Sequence, residues 1–173
     1  MTTVVRCAVL AGVALALTAC GKSGGAAQNQ ATAPTEAPTA APVAAAPLTS
    51  EQKKVLLAGL PAAYQAADLD NGQAQFAVCR SCHTLDQGGA NVIGPNLHGV
   101  FGRRAGSKTD FDYSDDMKKA GWTWDADHLD KWIQNPRGVL PGTKMTYAGM
   151  PDAKNRTDLI AYLKTATSPV PPS

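Results

Sequence analysis

The strongest constraint on this chain is five residues long: Cys79, Arg80, Ser81, Cys82 and His83. Two thiols separated by two residues, with an imidazole directly after, suit three chemistries. They can ligate a metal, cycle between dithiol and disulfide, or hold a porphyrin through two thioethers. Each demands different surroundings. A structural zinc site wants four ligands, usually in two pairs. No second C-x-x-C exists, and His98 and His128 are not spaced as a pair. A redox dithiol opens a helix in a strand–helix–strand setting. The stretch before Cys79 reads as helix, and no strand pattern is evident. The thioether reading uses all three fixed residues. Cys79 and Cys82 reach the two vinyl groups of a haem from one helical turn, and His83 offers its imidazole to the iron from the same face.

The surroundings agree. Residues 48–173 carry fourteen Lys+Arg against thirteen Asp+Glu, a net +1. That is no field for nucleic acid. Large apolar residues are few, and 88–106 is a Gly, Asn and Pro-rich loop. A structureless stretch of that length is unusual in a compact domain, so something other than side chains fills the middle. A haem, a large apolar plate, would do so. The predicted elements are helical. Thr49-x-x-Gln52 is a capping box for a short helix that ends near Pro61. Asp68 or Asp70 caps a second helix running into Cys79, with Phe76 as its apolar anchor. Leu129, Trp132 and Ile133 lie at helical spacing in a helix stopped by Pro136. Leu159, Ile160, Tyr162 and Leu163 share a face of a last helix, ended by Ser168-Pro169.

A second axial ligand decides between open-site chemistry and electron transfer. Met117 lies in the polar stretch "YSDDMKKAG", and Met150 stands just before Pro151. Met145 lies in "LPGTKMTYAG", an irregular loop between two helices that can bring it to the iron. His98 and His128 are rival ligands.

Upstream, residues 7–19 form an uncharged apolar run behind the lone charge of Arg6. Thirteen residues are too few for a membrane span, which needs about 20. The run reads as an export signal, 1–19. Ordinary cleavage after Ala19 would put Leu17 where a small residue is wanted. The segment "LTAC" at 17–20 instead resembles the lipobox of bacterial lipoproteins, which implies lipidation of Cys20 and anchoring in a membrane facing the periplasm. Gly21 lacks the aspartate that commonly retains lipoproteins in the inner membrane, so either membrane is open. Residues 20–47 are rich in Ala and punctuated by Pro34, Pro38, Pro42 and Pro47. They read as a linker that reaches tens of ångströms at about 3.1 Å per residue. The head is then 48–173.

From "NGQAQFAVCRSCHT" to "TDLIAYLKTAT" the head resembles class I cytochrome c, with "GPNLHGVFGRRAG" and "NPRGVLPGTKMTYAG" between them at the family's spacing. The resemblance implies an all-α fold of a few helices wrapped around one covalent haem c. The helix at about 71–81 would cross the helix at about 155–166, with Gly72 allowing close approach and Phe76 meeting Leu159 and Tyr162. It implies Cys79 and Cys82 as thioether anchors, His83 and Met145 as iron ligands, and Pro95 as the carbonyl orienting His83. It implies Arg103, Tyr113 and Trp124 at the inner propionate and Thr143 at the outer one. Departures from the family pattern are Met117 for a common Asn, Trp132 for Tyr, Tyr147 for Phe, and a thin lysine ring in which Val78 and Asp152 replace lysines while Lys144 and Arg137 remain.

The function implied is a monomeric electron carrier, not an enzyme, with no small-molecule substrate. By resemblance its donor is a quinol–cytochrome c oxidoreductase and its acceptor a terminal oxidase. The alternatives are a peroxidase-type enzyme and a fixed subunit of a respiratory complex.

Overall fold

The computed structural model describes residues 47–171. The export signal, the lipobox with Cys20, and the linker up to residue 46 lie outside the described residues. The described residues are helical, with a single isolated bridge pairing Arg104 and Thr123 and no longer strand. None of their helices is long and apolar enough to cross a membrane.

Seven helices follow in order: α1 Ser50–Ala58, α2 Ala62–Gln65, α3 Leu69–Gln75, α4 Asp115–Lys119, α5 Ala126–Gln134, α6 Pro136–Val139 and α7 Ala153–Thr167. Except at α2, their starts are written in side-chain oxygens that satisfy orphan helix N–H groups. Thr49 and Gln52 form the expected reciprocal box at α1. Asp68, Ser114, Asp125 and Asp152 cap α3, α4, α5 and α7. Pro61 precedes a further helical turn, α2, rather than closing the region. Pro136 likewise does more than stop α5. It occupies the first turn of α6, where its missing N–H costs nothing.

The expected long helix into Cys79 is shorter than the pattern suggested. The α-helical part ends at Gln75 and tightens into a 3₁₀ turn, Phe76–Val78. The turn continues through backbone bonds from Cys79 and Arg80 to the Phe76 carbonyl, and from Cys82 and His83 to that of Cys79. This winding delivers both thiols and the imidazole from one short stretch.

The α3–α7 crossing is the frame of the molecule. A side chain at Gly72 would collide with the Asp158 carbonyl and the Tyr162 Cβ, so only glycine lets the backbones meet. Phe76 packs on Tyr162 at 6.0 Å between ring centroids. The Asp158 carboxylate bridges the crossing, accepting from Asp68 N at 3.0 Å, Asn71 Nδ2 at 2.7 Å and Lys154 Nζ at 2.6 Å. Leu57, Leu60 and Tyr64, from α1, α2 and their connection, join Leu129, Ile133, Leu159, Ile160 and Leu163 in one core cluster. A second cluster is built on Ala105, Met117 and Trp132.

Candidate functional site

The site begins at the turn after α3. Cys79 and Cys82 are unpaired thiols, each half-buried. Burial, and then the neighbouring Cys82, push the Cys79 thiol up to about 11. His83 follows with its ring packed on Gly94, where any side chain would strike the imidazole. His83 Nδ1 lies 2.7 Å from the Pro95 carbonyl. A carbonyl only accepts, so Nδ1 carries the proton and donates, and Nε2 keeps its lone pair. Burial pushes the imidazole pKa below its ordinary value, against the opposing pull of that hydrogen bond. The ring is a neutral, oriented donor.

The loop that holds Pro95 is itself knotted by Asn96, which is 4% exposed. Its Nδ2 donates to Thr84 Oγ1 and the Asp86 carbonyl, its Oδ1 accepts from His98 N, and its backbone N donates to Asn91 Oδ1. Nothing in the sequence pattern singled out Asn96. Only its burial and its hydrogen bonds do.

Arg103 donates Nη1 to the His98 carbonyl at 2.9 Å and Nη2 to the Asn96 carbonyl at 3.3 Å. Both acceptors are neutral, and burial pushes its pKa below the usual guanidinium range. Tyr113 lies close enough for the two groups to perturb each other. Trp124 N donates to the Arg103 carbonyl. Thr143 Oγ1 accepts from Met145 N at 3.1 Å, tying the 143–145 loop to itself. Tyr113, Trp124 and Met145 all pack against the second cluster, beside Trp132 and Met117. Tyr147 stands near Cys79, whose charge adds to burial in raising the tyrosine's pKa.

The predicted site residues within the described stretch come from three segments, 79–83, 95–124 and 143–145. Cys79 packs against the first core cluster, Tyr113 and Met145 against the second, and Trp124 against both. Cys20 lies outside the described residues. Met117 departs from what its polar neighbours suggested. It is 6% exposed, on the inner face of α4, with Ser114 capping that helix. Two further features were missed. Trp122 stacks on His128 at 5.9 Å and meets Trp124 edge-on at 5.8 Å, and Trp124 meets Trp132 at 5.5 Å. The three tryptophans were visible as a cluster in sequence, but their linked packing was not. Lys144 is latched to Asp112, with Nζ 2.6 Å from Oδ2 and 3.1 Å from the backbone carbonyl.

The donor set fits a haem. Two thiols stand one turn apart, an imidazole keeps a free Nε2, and a half-buried guanidinium lacks a carboxylate partner among the described residues. A porphyrin's vinyl groups, iron and propionates answer these in turn. A zinc ion would use too few of them, and among the described residues no cluster of three or more His, Cys, Asp or Glu side chains could hold a metal.

A small all-α protein built to hold one covalent haem is the class that fold and site define. The cytochrome c family model matches residues 69–167. The chain is 45% identical over 101 residues to a cytochrome c of Gibberella zeae, covering 58% of this chain and 95% of that protein. It is 43% identical over 103 residues to a cytochrome c2 of Rhodomicrobium vannielii, covering 60% and 82%. A cytochrome c homolog of Bradyrhizobium diazoefficiens is 45% identical over 102 residues, 58% of this chain and 55% of that protein. The chain belongs to the cytochrome c family. It is a single-haem electron-transfer protein, with the haem covalently bound, acting between redox partners and not an enzyme. Helices α1 and α2 precede the family match yet supply Leu57, Leu60 and Tyr64 to the core.

Proposed function

We propose that this chain is a membrane-tethered carrier shuttling single electrons from a quinol–cytochrome c oxidoreductase to a terminal oxidase. His83 and Met145 would ligate the haem iron, and Cys79 and Cys82 would anchor the porphyrin through thioethers. Arg103, Tyr113 and Trp124 hold the inner propionate and Thr143 the outer one. Acylated Cys20 fastens the chain to a membrane facing the periplasm, and residues 21–47 are the leash that lets the head reach its partners. The observation that carries the reading is the His83–Pro95 bond, which engages Nδ1 and leaves Nε2 free on the residue that follows two free thiols in the chain.

Bound haem supplies a one-electron Fe(III)/Fe(II) couple. The residues decide how it is used. Met145 is a softer donor than a second imidazole, which favours Fe(II) and raises the potential relative to bis-His ligation. The apolar shell of Trp132, Met117 and Leu140 disfavours the extra charge of the oxidised state in the same direction. Arg103 offsets a propionate's negative charge. A ligand pair kept in both oxidation states leaves little to rearrange.

The test compares cyanide binding by ferric wild-type protein and a Met145→Ala variant. Wild type should bind slowly and the variant at least about tenfold faster, a barrier difference of about 1.4 kcal/mol. Equal rates would mean that Met145 does not close the iron. Mass spectrometry of the purified protein checks the rest: one haem mass and acyl chains on Cys20.

A further inference from the structure

Among the described residues one buried side-chain nitrogen or oxygen lacks a hydrogen-bond partner, and it is the indole Nε1 of Trp122. An indole N–H only donates, and a buried one ordinarily finds an acceptor. Its aromatic neighbours supply none. His128 lies parallel to the indole, at 11° between planes, so it covers a ring face, whereas the N–H points outward in the ring plane. Trp124 meets the ring edge-on, and an indole nitrogen has no lone pair to offer.

Backbone pairing fixes which way Trp122 faces. Arg104 and Thr123 form the antiparallel bridge, flanked by Ala105 N donating to the Trp122 carbonyl and Trp124 N to the Arg103 carbonyl, each at 2.9 Å. Side chains alternate across such a pairing. Arg104 and Thr123 are exposed, so Arg103, Ala105, Trp122 and Trp124 project to the opposite side. There Ala105 is 1% exposed, and Trp122 and Trp124 pack in the second cluster with Tyr113 and Met145. Arg103 donates to the neutral carbonyls of His98 and Asn96 and makes no ion pair among the described residues. A cation without an anion and an N–H without an acceptor thus share one inward side. A single carboxylate answers both, and a haem brings one.

We propose that Trp122 Nε1–H donates to the inner haem propionate, as a further donor beside Arg103, Tyr113 and Trp124. This rests on the propionate reading of those three residues. A hydrogen bond from the indole disperses the carboxylate's charge. Uncompensated negative charge near iron favours Fe(III), so the donor raises the potential.

The test uses the haem-loaded full chain in its ferrous state, with isotope-labelled indole nitrogens. Trp122→Phe identifies the Trp122 N–H signal by its loss. In wild type that proton should show a nuclear Overhauser contact with the methylene protons of one haem propionate. Trp122→Phe keeps an aromatic ring and loses the N–H, so its midpoint potential should fall below that of wild type. His128→Ala removes the stacked ring and leaves the N–H, so it should keep both the contact and the potential. A Trp122 N–H that contacts only water overturns the proposal, as does a Trp122→Phe potential equal to or above that of wild type. Methylenes that meet Arg103, Tyr113 and Trp124 but not Trp122 defeat this proposal alone. Methylenes that meet none of the four defeat the propionate reading as well.

Discussion

Arg156 offers the sharpest test of how the fold holds the stretch that follows Met145. It stands on α7 at 5% exposure. Its Nε donates to Asp130 Oδ1 at 2.8 Å and its Nη2 reaches Oδ2 at 3.5 Å. Its Nη1 donates to the Met150 and Pro151 carbonyls at 2.9 and 2.7 Å. One side chain thus joins α7, α5 and the stretch leaving Met145. Arg156→Ala strands two carbonyls and a carboxylate. Removing one partner of a buried ion pair costs about 3–5 kcal/mol. The Asp130 side chain is 30% exposed, so water relieves part of that loss and the lower end, about 3 kcal/mol, applies. That is a large share of the roughly 5–15 kcal/mol holding a typical domain. Guanidinium unfolding of the holoprotein reads it, with a double-mutant cycle through Asp130→Asn. Coupling should exceed about 1 kcal/mol. Arg156→Lys should not rescue, because an ammonium cannot fork between a carboxylate and two carbonyls. Coupling within about 0.3 kcal/mol of zero would refute the reasoning.

Gly72→Ala should destabilise by at least about 1–3 kcal/mol, because the added methyl meets the Asp158 backbone and the crossing must open; denaturant titration with a Phe76→Leu comparison separates this from loss of ring packing. Asp112 should latch the 141–146 loop, through Lys144, in a pH-dependent way. Its carboxyl is held below the usual range first by the hydrogen bond from Lys144, so the latch is complete above the unfolded value near 3.9 and is lost as pH falls through the lower folded value. Amide exchange in residues 141–146 should quicken in that acid window, and Asp112→Asn should show the quickening already at neutral pH.

Much of this architecture was legible before any coordinates. The capping box at Thr49 and the amphipathic runs of α5 and α7 are local patterns, and they fold as read. The thiols and His83 declare themselves by spacing. Met117 was not legible, because its neighbours in sequence are charged while its neighbours in space are Ala105 and Trp132. Lys144 looked free to dock, since its partner Asp112 stands 32 residues away. The long helix before Cys79 was overdrawn, because helical propensity does not register the tightening that places two thiols and an imidazole.

The chain's spacing alone settles the chemistry: which atoms can hold a haem and where helices begin. Those follow from covalent structure and short-range hydrogen bonding, which spacing records. Which charges remain free, and which aliphatic side chains face water, is settled by the tertiary structure. Pairing and exposure depend on groups far apart in the chain, and a linear pattern carries no distance between them.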